Sequence, residues 1–299
     1  MLDQPMLAAD GEEMRENRRR FLRAATLATL GATLGTGLAA GPGARAQAVT
    51  LTDVDILNFA LNLEYLEAEY YLRAAFGRGL DDADVVGQGA VGAVSGGTKV
   101  PFKDPKLRRI AEEIARDEEA HVRFLRAALG SAAVSRPQID LKTVWTNAAR
   151  AAGLVGPTAT FNPFQNDVNF LLGAYVFEDV GVTAYKGAAP FIQDKAYLEA
   201  AAGILAVEAY HAGTIRSILF LRGFEFVTRA LSDLRDSADG PDDLDQGVFT
   251  EGVRANIVPT DANGIAYSRS PQQVLDIVYL GGESAGFGFF PQRVNGTIR

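Results

Sequence analysis

The chain has 299 residues, a formal net charge of −8, two histidines and no cysteine. Scattered lysines and arginines give no basic patch for nucleic acid, and the lack of cysteine excludes disulfides, thiolate metal sites and a cysteine nucleophile. Two histidines are too few for most zinc hydrolase sites, so the chemistry that remains is carboxylate-rich metal chemistry or none.

Residues 1–48 have the features of an export signal. The sequence Asn-Arg-Arg-Arg-Phe-Leu-Arg, which contains the pair Arg18-Arg19, resembles the twin-arginine signal. A weakly hydrophobic run at 24–40 and two small-x-small cleavage sites follow it. We expect a cleaved signal peptide that engages the twin-arginine export machinery and a mature protein that is periplasmic or secreted. An uncleaved membrane-anchoring helix is the alternative.

Four long segments with apolar residues at helical spacing predict an all-α fold with a four-helix bundle. Thr52 or Asp53 can cap the first helix, Asp104 the second and Asp194 the fourth. The segment 130–165 carries a short predicted helix and is long enough to cross the bundle from end to end. The predicted long helices cover approximately residues 53–76, 105–129, 166–187 and 195–222.

Acidic residues fall on the apolar stripes of these helices. Each histidine lies three residues after a glutamate, on the second and fourth helices, where both side chains project from one face. The first and third helices each carry one glutamate in the middle of the stripe. This combination is the ligand set of a carboxylate-bridged dinuclear iron or manganese centre. The predicted metal ligands are Glu64, Glu118, His121, Glu178, Glu208 and His211.

The pattern occurs twice along the chain. Tyr71 follows Glu64 by seven residues and Tyr185 follows Glu178 by seven, so each tyrosine shares a face with a predicted ligand. We expect the two tyrosines to orient carboxylates beside the metals. Buried carboxylates are costly unless they are paired or bound to metal, which favours a metal centre. A structural bundle with acids at helix edges and hydrogen-bonded histidines is the alternative.

The division of ligands between the two ions follows the helix pairs. Glu64, Glu118 and His121 are expected to hold one ion. The second ion is assigned to Glu178 and His211, with Glu208 as an additional ligand. Iron and manganese use the same ligands, so the identity of the two ions stays open.

Residues 227–299 are predicted to form an irregular C-terminal extension to a bundle at 49–226. A short helix is expected at 271–279. The acids near its start lack the spacing of a calcium-binding loop, and we interpret them as a solvated linker. These acids are Asp233, Asp236, Asp239, Asp242, Asp243 and Asp245.

Residues 58–71 and the two Glu-x-x-His blocks resemble the ferritin-like superfamily, specifically exported ferritin-like proteins related to plant desiccation-related proteins. Segments 256–259, 270–274 and 288–291 resemble the same proteins. The resemblance implies a ferritin-like four-helix bundle with one long crossover, and the six ligands given above. Manganese catalase is a more distant likeness. In that enzyme the last glutamate is not a ligand, which leaves the role of Glu208 open, and an arginine stands where this chain has Phe177.

Two hypotheses follow. The first is an exported oxidoreductase with two Mn or Fe ions that acts on peroxide or dioxygen in stress protection, with Glu208, Tyr71 and Tyr185 assisting catalysis. The second is a metal-binding or desiccation-protective envelope protein without turnover. No nucleic acid partner is expected, and a homo-oligomer is left open.

Overall fold

The computed structural model describes residues 51–250, 254–281 and 288–299, without the side chain of Thr250. The predicted signal peptide over residues 1–48 lies outside the described residues. Within the described ranges the helices are α1 (Asp53–Phe76), α2 (Pro105–Leu129), α3 (Val144–Ala151), α4 (Asp167–Ala188), α5 (Lys195–Leu221), α6 (Glu225–Asp239) and α7 (Pro271–Val278). The short strands are β1 (Val94–Gly96), β2 (Ile139–Leu141), β3 (Phe249–Thr250) and β4 (Arg254–Ala255). Single 3₁₀ turns occupy Asp82–Asp84, Gly130–Ala132 and Ala189–Phe191.

Local capping interactions set the ends of the bundle helices where the sequence predicts them. The Thr52 hydroxyl accepts a hydrogen bond from the Asp55 N–H at 3.3 Å, and the Asp55 carboxylate accepts one from the Thr52 N–H at 2.8 Å. Gly77 ends α1 in the left-handed region, with φ +76°. Asp104 caps α2, and Pro105 occupies the first helical position.

The four long helices pack as two pairs, α1 with α2 and α4 with α5. The connection from α2 to α4 contains α3 and β2, and β2 pairs in parallel with β1 from the α1–α2 loop, so that Val94 lies opposite Ile139. The predicted four-helix bundle with one long crossover is confirmed. In the described part of the chain α5 is the one helix long and apolar enough to span a membrane, a property that buried core helices share.

The C-terminal extension is more ordered than the sequence predicts. It begins with α6, a helix of 15 residues, and its short helix α7 matches the expected position. Asp239 and Asp245 are each 5% exposed and therefore buried. The interpretation of this acidic segment as a solvated linker is wrong for these two residues. Both are neutralised by arginines, Arg269 for the first and Arg235 with Arg269 for the second.

These ion pairs belong to a larger buried group that joins the extension to the bundle. Asp179 on α4 contacts Arg216 Nη1 at 2.7 Å and Arg235 Nη2 at 3.0 Å. Arg269 Nε lies 2.6 Å from Asp239 Oδ2, and its Nη1 donates to the Thr183 hydroxyl at 2.8 Å. We call this group the arginine–aspartate cluster. Its members are Arg216, Arg235, Arg269, Asp179, Asp239 and Asp245.

Candidate metal centre

The six predicted ligand residues come together inside the bundle. Each is at most 8% exposed, and together they form two overlapping groups that share one residue. In each group, one ligand atom from every member lies within 4.8 Å of the others. The first group consists of Glu64, Glu118, His121 and Glu208. The second group consists of Glu118, Glu178 and His211. We call all six residues the acid–histidine cluster.

His121 points one ring nitrogen at three carboxylates. Its Nδ1 lies 3.3 Å from Glu64 Oε2 and 3.4 Å from Glu118 Oε2. Glu208 Oε1 is slightly further away, at 3.8 Å. The sequence hypothesis assigned Glu208 to the ion of the second group, but the structure places its carboxylate with the first.

His211 occupies the corresponding position in the second group. Its Nδ1 lies 3.1 Å from Glu118 Oε1 and 3.5 Å from Glu178 Oε2. Its other nitrogen, Nε2, lies 3.1 Å from Asp117 Oδ2. An aspartate that accepts the outer N–H of a histidine fixes the tautomer that leaves the inner nitrogen free to bind a metal. Sequence reasoning missed Asp117, although it immediately precedes Glu118.

The two halves of the cluster differ at this outer contact. The α5 residue that corresponds to Asp117 is Val207, which precedes Glu208 as Asp117 precedes Glu118. Among the described residues, the acids within ion-pair distance of His121 all face its Nδ1. The two imidazoles therefore have different surroundings in an otherwise repeated arrangement.

Glu118 connects the two groups. Its Oε2 faces His121 and its Oε1 faces His211, so each oxygen serves one half of the cluster. A carboxylate with its oxygens divided in this way has the arrangement of a bridging ligand between two ions.

Two tyrosines cross between the helix pairs to reach the cluster. The Tyr71 hydroxyl, on α1, donates to Glu178 Oε1 on α4. The Tyr185 hydroxyl, on α4, donates to Glu64 Oε1 on α1. Each hydrogen bond occupies one carboxylate oxygen and leaves the other, Oε2, directed at a histidine.

Burial and mutual repulsion perturb the carboxyl groups strongly. Burial raises the pKa of Glu64 to about 7, even though His121 opposes the shift. Burial also raises the pKa of Glu178, and it raises that of Glu208 well above the ordinary value with a further contribution from Glu67. These shifts show that the protein matrix alone poorly tolerates negative charge here.

The shared carboxylate and the histidines behave differently. Burial opposes ionisation of Glu118, but the nearby imidazoles of His121 and His211 outweigh it and lower its pKa to about 2. Burial likewise disfavours charged imidazoles, yet the carboxylates, Glu64 foremost, raise the pKa of His121 to about 11. The pKa of His211 is also raised, by Glu178 and Glu118 against the effect of burial. Without metal, protons on the histidines supply the positive charge in the cluster.

The donor atoms of the cluster fit a pair of metal ions. Buried polar atoms in proteins nearly always have a hydrogen-bond partner. Oxygen and imidazole nitrogen donors in this ratio suit iron and manganese. Within the described residues, eight buried atoms of the cluster lack a hydrogen-bond partner: Glu64 Oε2, both oxygens of Glu118, His121 Nδ1, Glu178 Oε2, both oxygens of Glu208, and His211 Nδ1.

Glu67 is a further buried acid that the sequence analysis did not select. It is 6% exposed, and burial together with Glu118 and Glu64 raises its pKa well above the ordinary value. Its position three residues after Glu64 places it on the same helix face. That spacing was the feature of the sequence from which Glu67 could have been predicted to lie beside the cluster.

Phe177, which stands where manganese catalases carry arginine, belongs to the aromatic core. Its ring lies 5.3 Å from those of Tyr70 and Trp145 and 5.0 Å from that of Phe289, centroid to centroid. A third group of acids, near the surface at Asp84 and Glu119, is paired with arginines and offers no comparable site.

Comparison with known proteins agrees with this architecture. The ferritin-like domain model matches residues 52–221. Desiccation-related protein PCC13-62 of Craterostigma plantagineum is 32% identical over 246 residues, 75% of this chain and 76% of its own. Ferritin-like catalase Nec2 of Nesocodon mauritianus is 30% identical over 266 residues, 82% of this chain and 84% of its own. The resemblance noted in the sequence is thereby confirmed, and the chain belongs to the ferritin-like domain family.

Proposed function

We propose that this protein is an exported oxidoreductase with a dinuclear manganese or iron centre that acts on hydrogen peroxide or dioxygen in stress protection. The eight unpartnered buried atoms of the acid–histidine cluster carry this proposal. They converge from four helices on one region, and a pair of divalent cations would satisfy all of them except the two oxygens of Glu208. The similarity to a protein named a ferritin-like catalase supports the choice of substrate class.

Each residue of the cluster has a defined task in this proposal. Glu118, His121 and His211 would hold the two ions, the histidines as neutral imidazoles through their inner Nδ1 atoms. Asp117 accepts the outer N–H of His211 and keeps its Nδ1 unprotonated. The hydrogen bonds from the tyrosines hold the carboxylates of Glu64 and Glu178 with Oε2 directed inward.

Two acids are placed to handle protons. Both oxygens of Glu208 are buried without a hydrogen-bond partner, and after burial itself the charge of Glu67 contributes most to raising its pKa. A carboxyl with a raised pKa can donate a proton to a substrate oxygen or accept one from it. When bound, two ions of this type supply or accept two electrons together, which matches a two-electron oxidant such as peroxide.

Metal analysis of protein purified from the exporting cell tests the proposal. We expect about two manganese or iron ions per chain, the number that this ligand set holds. The loaded protein should release oxygen from hydrogen peroxide or consume dioxygen, and a Glu118→Gln variant should do neither. A fully loaded wild-type protein that turns over neither oxidant would contradict the enzymatic assignment.

Export through the twin-arginine pathway is part of the proposal. This pathway carries folded proteins, so the metal can be inserted in the cytoplasm, where copper and zinc do not displace manganese or iron. A variant in which both Arg18 and Arg19 are replaced by lysine should remain in the cytoplasm. Unchanged export of that variant would exclude the pathway.

A second candidate function is protection without turnover, favoured by the similarity to a protein named desiccation-related. In this case the bundle would buffer metal or stabilise envelope components during drying. Metal-occupied protein without turnover, together with survival of drying that does not depend on Glu178, would favour this candidate over the enzyme.

A further inference from the structure

A narrow cavity lies between α1, α4 and the C-terminal extension, beside the acid–histidine cluster. Its volume is about 20 Å³. Apart from one acid its walls are apolar or glycine, and all three parts of the structure contribute to them. The main wall residues are Leu63 and Leu66 from α1, Phe177 and Val180 from α4, and Ile277 and Phe289 from the extension.

The inner end of the cavity reaches the cluster through two residues at corresponding positions. Glu67 and Gly181 both line the cavity, and each lies three residues after a predicted ligand of its helix. A Cβ atom at position 181 would lie 2.2 Å from Glu208 Oε2. Glycine is therefore required for the Glu208 carboxylate to occupy its observed position, directly behind the cavity wall.

The size and lining of the cavity restrict what can occupy it. One water molecule needs about 10–15 Å³ on the same scale, so there is room for roughly one molecule of that size. An ion that entered this cavity would lose its hydration, and among the described lining residues the Glu67 carboxyl is the one side chain that could replace it. Entry of an ion is therefore unfavourable. A small uncharged molecule does not have this cost.

The extension holds its part of the wall rigidly. The Phe289 N–H donates to the Val278 carbonyl at 2.9 Å, and the Phe289 carbonyl accepts from the Asp140 N–H at 2.9 Å. Gly288 allows the close approach, because a Cβ there would lie 2.4 Å from the Val278 carbonyl oxygen. The ring of Phe289 is thus fixed against α3 and α4 as well as α7.

We propose that this cavity, here called the apolar passage, is the route by which a small uncharged oxidant reaches the acid–histidine cluster, and that the C-terminal extension forms its outer wall. Glu67 is the polar group that such a molecule meets at the inner end. This inference rests on the proposed function, since it names the route for the oxidant of that same centre. It also assigns the extension a role in selecting substrates by size and charge.

Narrowing the passage tests the proposal. Leu63 is half-buried at the passage, and Leu63→Trp adds bulk there without touching a predicted ligand. In iron(II)-loaded protein we expect this variant to bind nitric oxide at least about tenfold more slowly, a barrier increase of about 1.4 kcal/mol, with iron content unchanged. Leu198→Trp, the same change at a half-buried leucine on α5, is the control and should bind nitric oxide at the wild-type rate.

Widening the passage should have the opposite effect. Ile277→Ala removes part of the extension wall, and we expect it to accelerate oxidation of the bound iron by tert-butyl hydroperoxide more than oxidation by hydrogen peroxide. Xenon provides a measurement that needs no metal, because it occupies small apolar cavities in pressurised crystals. We expect a xenon site between Leu63 and Phe289 in the widened Ile277→Ala variant and none when Leu63→Trp is added to it.

The outcomes separate this inference from the proposed function. A protein that binds no iron or manganese defeats the proposed function, whereas the xenon site still reports on the passage. Iron-loaded Leu63→Trp with a wild-type rate of nitric oxide binding overturns the passage and leaves the metal centre intact. If Leu63→Trp does not fold, Leu63→Phe and the xenon measurement decide the question in the same way.

Discussion

Two buried groups of charged residues, one inside the bundle and one where the bundle meets the C-terminal extension, differ in their charge balance. The arginine–aspartate cluster contains three arginines and three aspartates, so its fixed charges cancel. The acid–histidine cluster contains four glutamates, with Glu67 beside them, and two histidines as its only basic members. Buried charges that cancel hold elements together, whereas a buried excess of acid calls for cations from outside the chain.

The two clusters also differ in how many of their buried polar atoms are hydrogen-bonded. In the arginine–aspartate cluster, Arg235 Nε and Asp239 Oδ1 are the described side-chain atoms without a partner. The acid–histidine cluster has eight such atoms. The polar atoms of the arginine–aspartate cluster are nearly all hydrogen-bonded within the protein. Those of the acid–histidine cluster remain available to bind cations.

The largest effect is expected from the residue that both halves of the acid–histidine cluster share. Glu118→Gln removes a bridging charge, and bound metal should fall from about two ions per chain to less than one. Elemental analysis of purified protein measures this loss. Glu119→Gln, at the neighbouring residue paired with Arg78 and Arg123, is the control and should retain both ions. Equal metal contents in the two variants would contradict the role of Glu118.

Breaking the balanced cluster should destabilise the fold whether or not metal is present. Arg269→Met leaves Asp239 without its arginine and Asp245 with one arginine in place of two, and loss of a buried partner costs about 3–5 kcal/mol. Denaturant unfolding of the metal-free and the loaded protein should show the same decrease. Arg254→Met, at an exposed arginine of the extension, should change stability by less than about 0.5 kcal/mol. A stable Arg269→Met variant would show that the cluster is dispensable.

The pH dependence of the metal-free protein should reveal the excess of acid. With a pKa of about 7 instead of 4.5, folded Glu64 keeps a proton that the unfolded chain has released. Stability should therefore fall as the pH rises from 4.5 to 7, by about 1.4 kcal/mol per pH unit for each such proton. The raised pKa of His121 acts in the same direction above 6.5, its ordinary value.

Urea unfolding between pH 5 and 8 measures this dependence. Glu64→Gln should flatten the decrease below pH 7 because it removes one titrating group and keeps an acceptor for Tyr185. Metal-loaded protein should show the reverse trend, since protons compete with metal at low pH. If the stability of the metal-free protein increased from pH 5 to 7, the acid–histidine cluster would not carry the excess of buried acid described above.

The smallest effect is expected from the asymmetry between the histidines. Asp117→Asn weakens the contact to the outer nitrogen of His211, and the affinity for one of the two ions should fall by about tenfold. Calorimetric titration of metal-free protein distinguishes one weakened site from two. Val207→Ala, the matched change next to Glu208, should leave both affinities unaltered.

The fold was accessible from the sequence where its signals are local. Thr52, Gly77 and the pair Asp104-Pro105 act on the next few residues, so the helix ends could be predicted closely. The extension was misjudged because Asp239 and Asp245 depend on Arg269, which lies 30 and 24 residues further along the chain. Such pairing leaves no periodic pattern to detect.

In the candidate site, too, the local features could be predicted from the sequence and the contacts between helices could not. Its six predicted ligands stand at helical spacings that the sequence displays directly. The grouping of Glu208 with His121 was not predictable, because it depends on the space left by Gly181 on another helix. Asp117 was visible as a neighbour of Glu118, but its partner lies on α5, so its role required the packing of two helices.

Trp145 has a practical consequence. It is the chain's single tryptophan, it is 2% exposed, and its ring contacts both Phe289 of the extension and Phe177, the neighbour of Glu178. Tryptophan emission from the protein therefore originates at the junction between the C-terminal extension and the helices that carry the acid–histidine cluster. If the C-terminal extension separated from the bundle, Trp145 would become exposed to water and its emission would shift to longer wavelength, so no attached dye is needed to detect this change.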